Sequence, residues 1–149
     1  MNEKEKPVAV IGRLRRNKVM GEKVTMEKDE SFEAEEQRLK TLFGIHEDGT
    51  LPAVSDDTLL IYLDFLKKHL VFPMKGSFTE ETGPLQSKMH DVVIISLFSD
   101  VEEFYGVIIC GVSRGINVEI PLLEFDLDNE GNSNYQFLED YKIWFWNYR

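Results

Sequence analysis

The chain has one cysteine, Cys110, in 149 residues. That excludes an internal disulfide and a cysteine-rich zinc site. It has no apolar run approaching the ~20 residues of a membrane span. Its first six residues, Met1-Asn2-Glu3-Lys4-Glu5-Lys6, are charged and lead into no leader-type apolar core. The expectation is a soluble, cytoplasmic protein. Bases are scarce, 17 Lys/Arg against 27 Asp/Glu, which argues against a nucleic-acid partner, because phosphate contacts need a basic surface. The one basic cluster, Arg13, Arg15, Arg16 and Lys18, reads as a solvated turn. The three histidines, His46, His69 and His90, lie far apart and show no metal-ligand spacing. No nucleophile elbow, P-loop or dinucleotide glycine pattern is present. No carboxylate sits in an apolar run that would raise its pKa, so an enzyme is not expected.

What is present is a foldable chain with uneven charge. Hydrophobic residues make up 42% and aromatics 11%, globular values for one domain able to bury a core. Residues 55–149 carry 16 Asp/Glu against 7 Lys/Arg, whereas residues 1–54 carry 11 against 10. Such concentration costs stability through self-repulsion. Two kinds of partner would offset it: a hard cation such as Ca²⁺, which takes carboxylate and carbonyl oxygens, or a basic protein.

Residues 7–14, with β-branched Val8, Val10 and Ile11, read as a strand, and residues 19–26 as its partner. A helix is predicted over 31–43, with Ser31 as N-cap, Glu33, Glu35 and Glu36 in its first turns, and Gly44 as its stop. A second starts at Ser55, with Asp56 and Asp57 in the first turn and Leu59, Leu63, Leu66 and Leu70 at helical spacing. Phe72-Pro73 closes it. Then come strands at 74–78, 92–98, 104–110 and 116–120, with turns at Ser99-Asp100 and Ser113-Arg114-Gly115. Residues 126–134 read as a polar loop, and Asn134 as the cap of a last helix. The fold class is therefore α+β. A small, bent antiparallel sheet of SH3-like size, a partial barrel, is flanked by a preceding and a C-terminal helix, and residues 1–54 form an N-terminal β/α extension.

The acids cluster. Asp126-Leu127-Asp128-Asn129-Glu130-Gly131 matches the first six positions of an EF-hand loop, but position 12, which needs a bidentate Glu, is Phe137. A looser calcium loop and a solvated acidic turn both remain open. Asp56-Asp57 suits the positive end of a helix dipole. Glu80-Glu81 and Asp100, Glu102 and Glu103 fall in predicted hairpin tips, where acids aid solubility and protect edges. Cys110 reads as a buried small hydrophobe, Trp144 as core, and Trp146 as partly exposed.

From Ser55 onward the chain resembles the CcbP-type calcium-binding proteins. The matching pieces are Asp56-Asp57, Tyr62-Leu63, Leu70-Val-Phe72-Pro73-Met74, Pro84-Leu85, Ile120-Pro121-Leu122-Leu123 and Asp140-Tyr141-Lys-Ile-Trp144. Met74 stands where that family favours Phe, and Tyr141 where Trp is usual. The resemblance implies a calcium-binding acidic protein, a buffer or low-affinity sensor without an EF-hand. Asp126, Asp128 and Glu130 would supply ligands, with Asp56 and Asp57 as further ligands or as charge behind them. The rival expectation is a metal-independent acidic interaction module, of immunity or adaptor type, that docks a basic protein.

Overall fold

The computed structural model describes residues 25–149. The elements run α1 (Thr25–Phe43), α2 (Asp56–His69), β1 (Met74–Gly83), β2 (Gln86–Glu102), β3 (Gly106–Ser113), β4 (Ile116–Pro121), a 3₁₀ turn (Leu122–Glu124), β5 (Phe125–Leu127) and α3 (Tyr135–Asn147). The predicted strand at 7–14 lies outside the described residues. Thr25 and Met26, read as strand, are helical. Ser31 is therefore interior to α1 rather than its cap. The first turns of α1 are Thr-Met-Glu-Lys-Asp-Glu: Glu and Lys favour helix, yet the segment has no apolar stripe to announce one. No described helix is long and apolar enough to cross a membrane.

Helix α2 begins where its sequence says. Ser55 Oγ accepts from Thr58 N at 3.2 Å, and Thr58 Oγ1 accepts from Ser55 N at 2.8 Å, a reciprocal cap that satisfies two end donors. Leu59, Tyr62, Leu63 and Leu66 are its buried stripe.

The five strands form one antiparallel sheet in the order β4-β3-β2-β1-β5. The 3₁₀ turn carries the chain from one edge, β4, to the other, β5. This is the open, curled arrangement expected of an SH3-like partial barrel. The strand predicted at 116–120 runs one residue further: β4 ends at Pro121, and Leu122 and Leu123 enter the turn. Asp126 and Leu127 are not loop but strand, in register with Ser77 and Gly76. Gly76 makes that pairing possible, because a Cβ there would collide with Asp126 O and the Phe125 ring. Ser99-Asp100 is not a turn. It lies where β2 falls out of register with β3 between Leu97 and Val101, a bulge that bends the strand. Glu80 and Glu81 sit inside β1, and the hairpin tip is Pro84-Leu85.

The core lies between the inner face of the sheet and the helices. Ile94, Val107, Ile109, Leu122 and Phe125 meet Leu59, Tyr62 and Leu66 from α2 and Tyr141, Trp144 and Phe145 from α3. Tyr62, Tyr141 and Trp144 pack at 5.0–6.2 Å between ring centroids, distances at which aromatic pairs attract beyond simple burial. Trp144 is fully buried and Trp146 partly so, as expected. Cys110 is half-buried. Asn134 does not cap α3 with its side chain. It clamps the segment before β1 instead: Oδ1 accepts from Val71 N at 2.9 Å and Nδ2 donates to Val71 O at 2.8 Å. His90 keeps only 14% of its side chain exposed, because it stacks on Phe78 and bonds Glu80 Oε1 at 2.7 Å.

Gly76→Ala should push β5 off β1 and lower the unfolding free energy by about 2 kcal/mol. Urea unfolding checks this as a lowered midpoint at unchanged m-value.

Candidate functional site

The predicted ligands are spread over three settings. Asp56 and Asp57 are exposed in the first turn of α2, where the helix dipole already favours negative charge. Asp126 is half-buried in β5. Asp128 lies just past the strand: its backbone N–H donates to Lys75 O at 3.1 Å, and the residue is exposed, as is Glu130. The loop that follows is tightened by its asparagines. Asn129 Oδ1 accepts from Gly131 N, and Asn132 Oδ1 accepts from Asn134 N, both at 2.8 Å. Among the described residues, no three His, Cys, Asp or Glu side chains gather as a metal site would require.

Beside Asp126 lies an internal cation. Lys142 on α3 is 8% exposed at its side chain, and its Nζ stands 3.4 Å from Asp126 Oδ1 and 3.9 Å from Glu139 Oε2. It donates to the Phe125 carbonyl at 2.6 Å. A carboxylate plus a backbone carbonyl is the pair of oxygens a hard cation would take, and here an ammonium meets them. Burying that charge is tolerable only because these acceptors surround it.

A second constellation was not visible in the sequence. Helices α1, α2 and α3 leave a cleft of about 310 Å³, lined by Gln37, Arg38, Leu39, Thr41, Leu42, Tyr62, Phe65, Phe137 and Asp140. Its polar end is an ion pair. Arg38 Nε donates to Asp140 Oδ2 at 2.7 Å and Nη2 donates to Oδ1 at 3.0 Å, the bidentate geometry in which guanidinium and carboxylate bind most strongly. Gln136 Nε2 adds a third donor to Asp140 at 2.9 Å. The Asp140 hydrogen bonds hold the Arg38 pKa above its ordinary value, outweighing partial burial. Tyr62 is 1% exposed. Burial, then the nearby charge of Asp140, pushes its pKa well above the ordinary phenol value. Its hydroxyl is shielded from solvent and finds no hydrogen-bond partner among the described residues.

One signal in the sequence pointed here. Asp140 is three residues after Phe137 and four before Trp144, so it occupies an apolar-periodic position of α3. An acid there must be buried and needs a cation. Which cation answers it depends on how α1 packs, and no spacing within α3 reveals that.

Comparison with protein-family models, with curated proteins and with solved structures finds no match to the chain.

Two measurements follow from these geometries. Lys142→Met keeps the stem and removes the ammonium, taking away the donor that meets the Phe125 carbonyl. It should cost about 1–3 kcal/mol in denaturant unfolding. Tyr141 is also raised above its ordinary pKa by burial. Above about pH 10 the unfolded chain releases phenol protons that folded Tyr62 and Tyr141 retain, so stability should fall as pH rises past that point. Phenolate absorbance should show both tyrosines silent in the folded titration and appearing on unfolding.

Proposed function

We propose that the chain is an acidic interaction module that docks a basic partner protein through exposed carboxylates, without a metal. The observation that supports this reading is how charge is divided between inside and outside. Residues 25–149 hold 24 Asp/Glu against 10 Lys/Arg, a net of −14. The half-buried and buried carboxylates of Asp126 and Asp140 face cations of the chain, Lys142 and Arg38. The excess stands outside, on Asp91, Glu102, Glu103, Glu119, Asp128 and Glu130, which are exposed. Repulsion among such charges is relieved when a complementary surface arrives, and complementary fields speed encounter and set orientation.

A second reading is a low-affinity calcium site built from the same side chains. It is favoured by the turn in which Asp128 and Glu130 flank Asn129, and by the resemblance of residues 55–149 to calcium-binding proteins. Calcium held by the native state alone would stabilise it.

One set of experiments separates the two. In chelator, oligolysine is titrated into the protein and into Asp56→Asn/Asp57→Asn, Glu102→Gln/Glu103→Gln and Asp128→Asn/Glu130→Gln variants. The docking reading expects association that weakens steeply with salt and one pair of substitutions that weakens it more than the others. Equal weakening by every pair would mean bulk charge attraction and no docking face. In parallel, millimolar Ca²⁺ is added to a thermal melt, with Mg²⁺ as control. The docking reading expects no calcium-specific rise in melting temperature. Suppose instead that a rise occurs, that Asp126→Asn/Asp128→Asn abolishes it, and that Glu80→Gln/Glu81→Gln leaves it intact. That would replace docking with the calcium site.

A further inference from the structure

We propose that the β2–β3 turn and the end of α3 form a binding site for an arginine side chain of the basic partner, and that the chain's own Arg149 fills this site until the partner's arginine displaces it. The inference rests on the docking reading above and adds to it a place and a cation. The occupant shows the chemistry. The Arg149 guanidinium stands over three rings, 4.6 Å from the centroid of Phe145, 5.5 Å from that of Phe104 and 5.9 Å from that of Trp146. All three lie within the ~6 Å at which the negative face of a ring attracts a cation. A planar guanidinium suits such rings better than the compact ammonium of lysine, because it stacks on their faces and sheds water more readily.

The setting faces outward. Glu102, Glu103, Phe104 and Tyr105 are all exposed, so the turn offers an incoming chain two carboxylates beside two rings. Phe104 is 55% exposed and meets Tyr105 edge to face at 4.9 Å. The acids draw a cation in, and the rings hold its face. Arg149 is exposed as well. Phe145 beneath it has no exposed surface, and the side chain that stands over that ring is Arg149. Moving the guanidinium away uncovers the ring. At an exposed residue such cation–ring contacts are weak, so they exchange for others of the same kind.

The backbone holds the rings in place. Glu102 pairs with Gly106 across the turn, and the positive φ of Gly106, +81, lets the chain reverse there. A Cβ at that position would stand 2.9 Å from the Phe145 ring, so glycine also lets the turn approach α3. The site is therefore built before a partner arrives, which lowers the ordering cost of binding. Arg149 lies two residues past the end of α3 at Asn147. So short a tether gives it an effective concentration on the order of millimolar. A partner's arginine has to outcompete it, and needs the acids as well as the rings. The site thus selects a segment with several cations over a single free arginine.

The probes are hexa-arginine and hexalysine peptides, titrated by calorimetry in chelator into four proteins: the full chain, Arg149→Ala, Arg149→Ala/Phe104→Ala, and Lys67→Ala. The last removes one exposed positive charge from α2 and so measures what bulk charge alone does. The expected result is that Arg149→Ala binds hexa-arginine about three- to tenfold more tightly than Lys67→Ala does. Adding Phe104→Ala should remove that gain, and hexalysine should gain less from Arg149→Ala. In the full chain, the Arg149 side-chain protons start shifted upfield by the rings. They should move to their unstructured positions as hexa-arginine is added. The proposal is overturned if Arg149→Ala gains no more than Lys67→Ala, if the gain survives Phe104→Ala, if hexalysine gains as much, or if the Arg149 resonances stay in place at saturation. Salt-sensitive association would persist in each of those cases, and the docking reading would stand without this site. If neither peptide associates with any of the four proteins, both readings fall together.

Discussion

The fold turns on one stretch of α3. Within residues 140–144, four side chains each reach a different part of the molecule. Asp140 binds Arg38 of α1. The Tyr141 hydroxyl accepts from Val107 N of β3 at 2.9 Å. Lys142 donates to Phe125 O of β5. Trp144 Nε1 donates to Pro52 O in the α1–α2 link at 3.0 Å. All four residues are buried. Each bond satisfies a polar group that would otherwise cost free energy in the interior, and together they fix helix against sheet in one register. Burial alone would not, since apolar contact is not directional. The backbone has adapted to this arrangement. Gly106 has φ +81, and a Cβ there would collide with the Tyr141 hydroxyl, so glycine permits both the conformation and the approach.

The same stretch links architecture to the two candidate sites. Asp140 is the anchor of the cleft's polar end, and Lys142 neutralises the acid that most resembled a ligand. The interior cations of this acidic protein are spent on holding it together, which leaves the carboxylate excess at the surface. An account of its chemistry that counts acids along the sequence therefore weighs the wrong ones. Asp126 stands in an acid-rich run and already faces an ammonium, while Glu119, the one acid of β4, and Asp91 of β2 are exposed.

Much of the fold was legible. Ser55 with leucines at helical spacing specified α2, and the apolar runs with glycine-bearing turns specified β3 and β4. The aromatic spacing from Phe137 to Tyr148 specified α3. Three things were not. Before Phe32 the sequence of α1 has one apolar residue, Met26, so periodicity was silent. β5 hides in an acidic run, and its pairing depends on Gly76, fifty residues away. Ser99-Asp100 has turn composition, but the strand absorbs it as a bulge. The cleft was illegible for a related reason. Arg38, Tyr62 and Asp140 come from three helices, and only the packing that joins those helices makes them neighbours. Sequence spacing records what one element does with itself; it carries little about what two elements do together.

The hairpin of β1 and β2 contrasts with α3. β5 pairs with β1 only from Gly76 to Phe78, so the ribbon beyond it, through Pro84-Leu85, is joined by strand pairing to its own partner alone. Leu85 is 97% exposed and Met89 68%. Opening this arm would break cross-strand bonds without unseating the aromatic core, so its amides belong to a low-stability unit, separate from the global transition. In evolutionary terms the molecule has a part that can be lengthened, shortened or re-sequenced at little risk to folding. Change in α3, in contrast, disturbs four neighbours at once. New specificity in descendants of this chain would arise most readily at that ribbon tip.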